Sequence, residues 1–101
     1  MGRKKFAALG NRKELLPLKS LGFDIYDCTD FREARAMIEK LNTEGYDLII
    51  ITENIVEGNQ TAFLDIIREF PSAVLILPEY KARRNFAKEI VKKAIKEAVG
   101  L

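Results

Sequence analysis

Residues 46–52 read Tyr-Asp-Leu-Ile-Ile-Ile-Thr. The aliphatic run Leu48–Ile51 has the length of a strand, and its lack of alternation marks a strand covered on both faces. Ala73-Val-Leu-Ile-Leu77, stopped by Pro78, is a second run of this kind. Phe23-Asp-Ile-Tyr-Asp-Cys28 instead alternates apolar and polar residues, which suits a half-covered strand at a sheet edge. Phe6–Leu9, ending at Gly10, is a fourth short apolar run.

Helical patterns lie between these strands. Phe31, Ala34, Met37, Ile38 and Leu41 recur at helical spacing. Asp30 precedes them as an N-cap, with Glu33 at capping-box spacing and Gly45 as the stop. Phe63, Leu64, Ile66, Ile67 and Phe70 form the next stripe, ended by Pro71 and started at Asn59 or Thr61. Ile55 and Val56 suggest a separate short turn before it. Pro17 is best tolerated at the start of a helix, so the first helix is expected to run from about Leu16 to before Gly22. The last stripe is Phe86, Ile90, Val91, Ala94, Ile95, Ala98 and Val99, with Lys88, Lys92, Lys93 and Lys96 opposite.

Strand and helix thus alternate four times, which argues a parallel α/β sheet with right-handed crossovers. The economical order for four strands is 2-1-3-4, a flavodoxin- or receiver-like three-layer fold with helices on both faces. The first and last helices are expected on one face and the middle ones on the other. Leu48, Ile50, Val74 and Ile76 are expected to point one way, and Ile49, Ile51, Leu75 and Leu77 the other, all under helices. Residues 1–101 read as one domain, whose final helix, 82–99, is the part that could detach.

The chain of 101 residues, 48% hydrophobic and 32% charged, has room for a single core. No apolar run approaches the roughly 20 residues of a membrane span. The basic N-terminus has no apolar stretch behind it, so it does not read as a signal peptide. The single cysteine, Cys28, excludes an internal disulfide and argues against a Cys-based zinc site. The absence of histidine removes the commonest general base and metal ligand. Charge is segmented: residues 1–13 carry five cations and no acid, residues 14–80 carry five against thirteen, and residues 81–101 carry seven against two.

Ligands of such sheets bind at the carboxyl ends of the strands, where the chain reverses direction. The residues expected there are Gly10, Asn11 and Arg12, then Thr52, Glu53 and Asn54, then Pro78, Glu79, Tyr80 and Lys81. Gly10 stands alone, without the glycine-rich loop that cradles phosphate. A phospho-receiver needs acids after the first strand to hold Mg²⁺ and an aspartate ending the third. Here those places hold Asn11 and Thr52, with Glu53 as one carboxylate beside them. Glu53 and Glu79 are not marked as an acid–base pair. Cys28 has no CxxC companion and reads as a small buried hydrophobe. No catalytic residue, cofactor or metal is therefore expected.

The expected contacts are with a partner. Tyr80, Lys81, Arg83, Arg84 and Phe86 gather aromatic and cationic groups after the last strand. The final stripe is wide and divides into two rows. Ile90, Ala94, Ile95 and Ala98 trend to one side, and Val91 and Val99 to the other. One row is expected on the sheet and the other along a partner, flanked by Lys92, Lys93 and Lys96.

These residues together resemble the F subunit of the archaeal and bacterial V-type (A-type) ATPases, a small component of the central stalk. The resemblance rests on Gly10-Asn11, where that family has Gly-Asp, on Gly22, and on Ile50-Ile51-Thr52-Glu53. It extends to the aliphatic run between Pro71 and Pro78 and to the ending Lys93-Ala94-Ile95-Lys96-Glu97-Ala98-Val99-Gly100. Asn11, Pro17 and the loop Pro78-Glu79-Tyr80-Lys81, which lacks a glycine, depart from the pattern. The resemblance implies a non-catalytic rotor component without nucleotide or metal. It would bind the long coiled-coil stalk subunit (D-type) and turn within a ring of catalytic A and B subunits. It would be cytoplasmic, peripheral to a membrane-bound complex and not inserted in the bilayer. Nucleic acid is not an expected partner. Two other classes stay open from the residues alone: a degenerate receiver-like signalling or adaptor domain, and a small nucleotide- or nucleic-acid-binding α/β domain.

Overall fold

The computed structural model describes residues 4–78, 91–96 and 98. Its elements are β1 (Phe6–Gly10), α1 (Arg12–Lys19), β2 (Phe23–Asp27), α2 (Phe31–Thr43), β3 (Leu48–Thr52), α3 (Glu53–Val56), α4 (Gln60–Glu69) and β4 (Ala73–Leu77). Residues 91–96 and 98 are also helical. The four strands form a parallel sheet in the order β2-β1-β3-β4, the order expected from the alternation of elements.

Each face of the sheet carries its own core. Ala7, Leu9, Ile49, Ile51 and Val74 meet Ala34, Ile38 and Leu41 of α2, Ile55 and Val56 of α3, and Phe63 and Ile66 of α4. Ala8, Phe23, Leu48, Ile50 and Leu77 meet Leu15 and Leu18 of α1, together with Val91 and Ala94. All five residues of β3 are buried, because β3 has a strand on either side and helices above and below.

Three local expectations are corrected. First, α1 begins at Arg12 rather than near Leu16, so Pro17 lies inside the helix. Asn11 starts it: its side chain accepts the Lys13 N–H at 2.9 Å, and its carbonyl accepts from Glu14 and Leu15. Burial of Leu15 and Leu18 offsets the hydrogen bond that Pro17 cannot make. Second, the register pairs Ile49 with Val74 and Ile51 with Ile76, so Val74 and Ile76 share the face of Ile49 and Ile51, not that of Leu48 and Ile50. Third, Leu75 and Ile76 are 40% and 38% exposed, because β4 is an edge strand that its helices cover incompletely.

Helix α2 starts as its sequence indicates: Asp30 accepts the Glu33 N–H at 2.8 Å. The Glu33 carboxylate, however, accepts from Thr29 Oγ1 at 3.1 Å. The short helix α3 matches the turn expected at Ile55 and Val56.

Candidate functional site

At the carboxyl ends of β1 and β3 the described residues pack closely on one another. Thr52 is buried, and its hydroxyl donates to Asn54 Oδ1 at 2.7 Å. A Cβ at position 10 would stand 2.6 Å from both Thr52 Cγ2 and Thr52 Oγ1, so only glycine lets the strands meet this closely. Asn11 spends its side chain on the α1 cap, and the Arg12 N–H donates to Asp27 Oδ1 at 3.0 Å. Glu53 opens α3. Among the described residues no group of three or more His, Cys, Asp or Glu is placed to hold a metal ion. Glu79, Tyr80 and Lys81 lie outside the described residues.

Cys28 is buried below the end of β2, with its thiol 3.4 Å from the Asp30 carbonyl. Burial raises its pKa, and the nearby Glu33 carboxylate adds to the rise, so the thiol stays protonated and unreactive.

A polar cluster lies on the same face of β2, toward the loop before β3. The buried Tyr46 donates its hydroxyl to Asp24 Oδ2 at 2.6 Å. That proton being committed, Tyr26 is the donor in its 3.0 Å contact with the Tyr46 hydroxyl. Lys5 Nζ lies 4.5 Å from the centre of the Tyr46 ring and donates to the Glu44 carbonyl. Burial raises the Tyr46 pKa above the ordinary phenol range, and the Asp24 and Tyr26 hydrogen bonds raise it further. The cluster locks the β2 edge to the loop before β3.

The candidate partner residues separate into groups. Val91 and Ala94 are buried in the core shared with Leu15 and Leu18 of α1, and Ile95 and Ala98 pack partly against it. Members of both expected rows therefore face the sheet. Lys92, Lys93 and Lys96 are exposed. Tyr80, Arg83, Arg84, Ile90 and Val99 lie outside the described residues.

An apolar strip at the β4 edge escaped the sequence reading. Leu64 and Ile67 of α4 are 51% and 41% exposed. Arg35 of α2 reaches Glu69 of α4 at 3.7 Å, which fixes the flank of α4 that faces α2. Leu64 and Ile67 sit about 140° and 160° around the helix from Glu69, on the flank overhanging β4. Exposed Ile76 lies on the same side of the sheet, and exposed Leu75 on the opposite side. In the sequence these residues looked like core because their spacing is that of buried stripes.

The family model described as "ATP synthase (F/14-kDa) subunit" matches residues 6–97. The chain belongs to that family. Among relatives within it, the V-type ATP synthase F subunit of Clostridium perfringens is 29% identical over 98 residues, covering 97% of this chain and 93% of the relative. The protein of the same name from Fusobacterium nucleatum is 28% identical, covering 95% and 91%. No helix among the described residues is long and apolar enough to cross a membrane.

Proposed function

We propose that the chain is a non-catalytic component of a V-type rotary ATPase, seated on the central stalk against the long coiled-coil subunit and turning within the ring of catalytic subunits. It would couple ATP hydrolysis or synthesis to ion transport by stiffening the shaft and holding it to the complex, as a cytoplasmic, peripheral part of the membrane-bound assembly. The relatives named as F subunits of V-type ATP synthases support this reading over nearly their whole length. The observation that carries it is the match of the F-subunit family model to residues 6–97.

Partner contact is assigned to two surfaces. The aliphatic strip Leu64, Ile67 and Ile76 supplies apolar area for a helical partner. The exposed Lys92 and Lys96, with Arg83 and Arg84, supply charge that orients it, and Tyr80 adds an aromatic contact. Val91 and Ala94 hold that helix on the sheet.

The test is co-expression with the coiled-coil stalk protein encoded in the same genome, followed by size-exclusion chromatography. A stable one-to-one complex, lost in Leu64→Lys/Ile67→Lys and weakened in Lys92→Glu/Lys96→Glu, is expected. Failure of the unsubstituted pair to associate would remove the stalk reading.

A further inference from the structure

The open edge of β2 and the flank of α1 enclose a groove of about 370 Å³, lined by Arg12, Lys19, Phe23, Asp24, Ile25 and Tyr26. In parallel pairing, the N–H and C=O of one residue point to the same side, and successive residues alternate. The Cys28 N–H donates to the Gly10 carbonyl of β1. Counting back by twos, Tyr26 and Asp24 also turn their backbone to β1. Phe23, Ile25 and Asp27 therefore present theirs to the groove, and among the described residues no strand pairs along that edge.

The side chains around the groove differ on its two faces. On the α1 face, Arg12, Leu16 and Lys19 fall on one flank of the helix, at spacings of four and three residues. Leu16 is 45% exposed between the two cations. Among the described residues, Arg12 and Lys19 have no carboxylate within ion-pair distance. Asp27 accepts the Arg12 backbone N–H, and Asp24 accepts the Tyr46 hydroxyl, so both local carboxylates already have partners. On the opposite face, Asp24 and Tyr26 present oxygen atoms.

We infer that the β2 edge is a docking site for an extended segment of a partner protein, which adds as a fifth strand and carries acid–aliphatic–acid at alternate positions. Positions i, i+2 and i+4 of a strand share one face and span about 13 Å. Arg12 and Lys19, seven residues apart, are separated by about 10.5 Å along their helix, and their long side chains cover the difference. The acids would meet Arg12 and Lys19, and the aliphatic residue would meet Leu16 and Ile25. The intervening positions would face Asp24 and Tyr26 and favour hydroxyl donors. A helix laid on this edge would bury the outward backbone groups of Phe23, Ile25 and Asp27 without partners, at a cost a strand avoids. The inference concerns a different surface from the stalk contact and does not depend on it.

The probe is a capped peptide, Glu-Thr-Ile-Thr-Glu, compared with Lys-Thr-Ile-Thr-Lys, each added at millimolar concentration to the full chain. Amide exchange is followed by NMR. The acidic peptide is expected to slow exchange at Phe23, Ile25 and Asp27, with Asp24 and Tyr26 unchanged because their amides already pair with β1. Arg12→Glu/Lys19→Glu is expected to weaken the acidic peptide about tenfold and to transfer the preference to the basic one. The spectrum of the variant without peptide reports that it is folded. Equal response to both peptides, or shifts confined to α1 without amide protection, would overturn the inference. So would protection of the same three amides in the free chain, whether independent of concentration (the chain covers its own edge) or rising with it (a second copy covers it).

Discussion

The Thr52 side chain occupies the space that any side chain at position 10 would need, 2.6 Å from where a Cβ on Gly10 would stand. This contact joins the ends of β1 and β3. Thr52 cannot retreat easily, because it is buried and its hydroxyl is held by Asn54. Gly10→Ala is therefore expected to destabilise the domain by about 1–3 kcal/mol, the usual cost of overpacking. Adding Thr52→Ala should recover part of that loss. A double-mutant cycle by urea denaturation reads the coupling; additive effects would mean that the two side chains do not compete.

Strands β3 and β4 differ in how much each side chain carries. Ile50 is buried in the central strand, whereas Ile76 is 38% exposed at the edge. Ile50→Ala is expected to cost about 2–5 kcal/mol, and Ile76→Ala less than half as much. Equal losses in thermal or denaturant unfolding would show that β4 is covered as fully as β3.

Asn11 acts as a helix cap. Asn11→Ala should cost about 0.5–2 kcal/mol. Asn11→Asp should be tolerated, since a carboxylate accepts the same N–H and favours the positive end of the helix. Denaturation midpoints of the three proteins would decide; an Asp variant as unstable as the Ala variant would refute the cap.

Tyr46 makes stability depend on alkaline pH. Its folded pKa lies above that of the unfolded chain, where tyrosine titrates near 10. The folded state therefore keeps a proton that the unfolded state releases. The resulting contribution is fully present below about pH 10 and is lost as pH rises through the folded pKa. Tyr46→Phe should lower stability at pH 7 by roughly 0.5–1.5 kcal/mol, through the lost hydrogen bond to Asp24. It should also flatten the decline above pH 10. Parallel declines for the two proteins would mean that Tyr46 does not contribute.

The burial of Val91 and Ala94 makes residues 91–96 part of the fold. Truncation after Glu89 would uncover Ala8, Leu15 and Ile50. A clear drop in melting temperature is expected, as well as weaker partner binding. An unchanged melting temperature would show that residues 91–98 add nothing to the core.

The sequence alone determined the kinds of elements and their order. Leu48–Ile51 and Ala73–Leu77 are too short and too uniformly aliphatic to be anything but strands once Gly45, Pro71 and Pro78 punctuate them. Asp30 and Glu33 announced the start of α2, because capping is local chemistry between near neighbours. The alternation of strands and helices then left 2-1-3-4 as the economical order, and the sheet has it. The missing glycine loop and paired acids were equally visible, since residue types need no coordinates.

The tertiary structure decided matters of phase and coverage. In Ala73–Leu77 every residue is apolar, so alternation carries no phase. The pairing that places Ala73 N–H on the Asp47 carbonyl sets which residues face α4. Leu64, Ile67, Leu75 and Ile76 have the spacing of core residues, yet the edge position of β4 leaves them exposed. Pro17 looked like a helix start, but Asn11 and the burial of Leu15 and Leu18 extend the helix ahead of it. The sequence marks which residues can be buried; whether neighbouring elements reach far enough to bury them is settled only by packing, and at the β4 edge they do not.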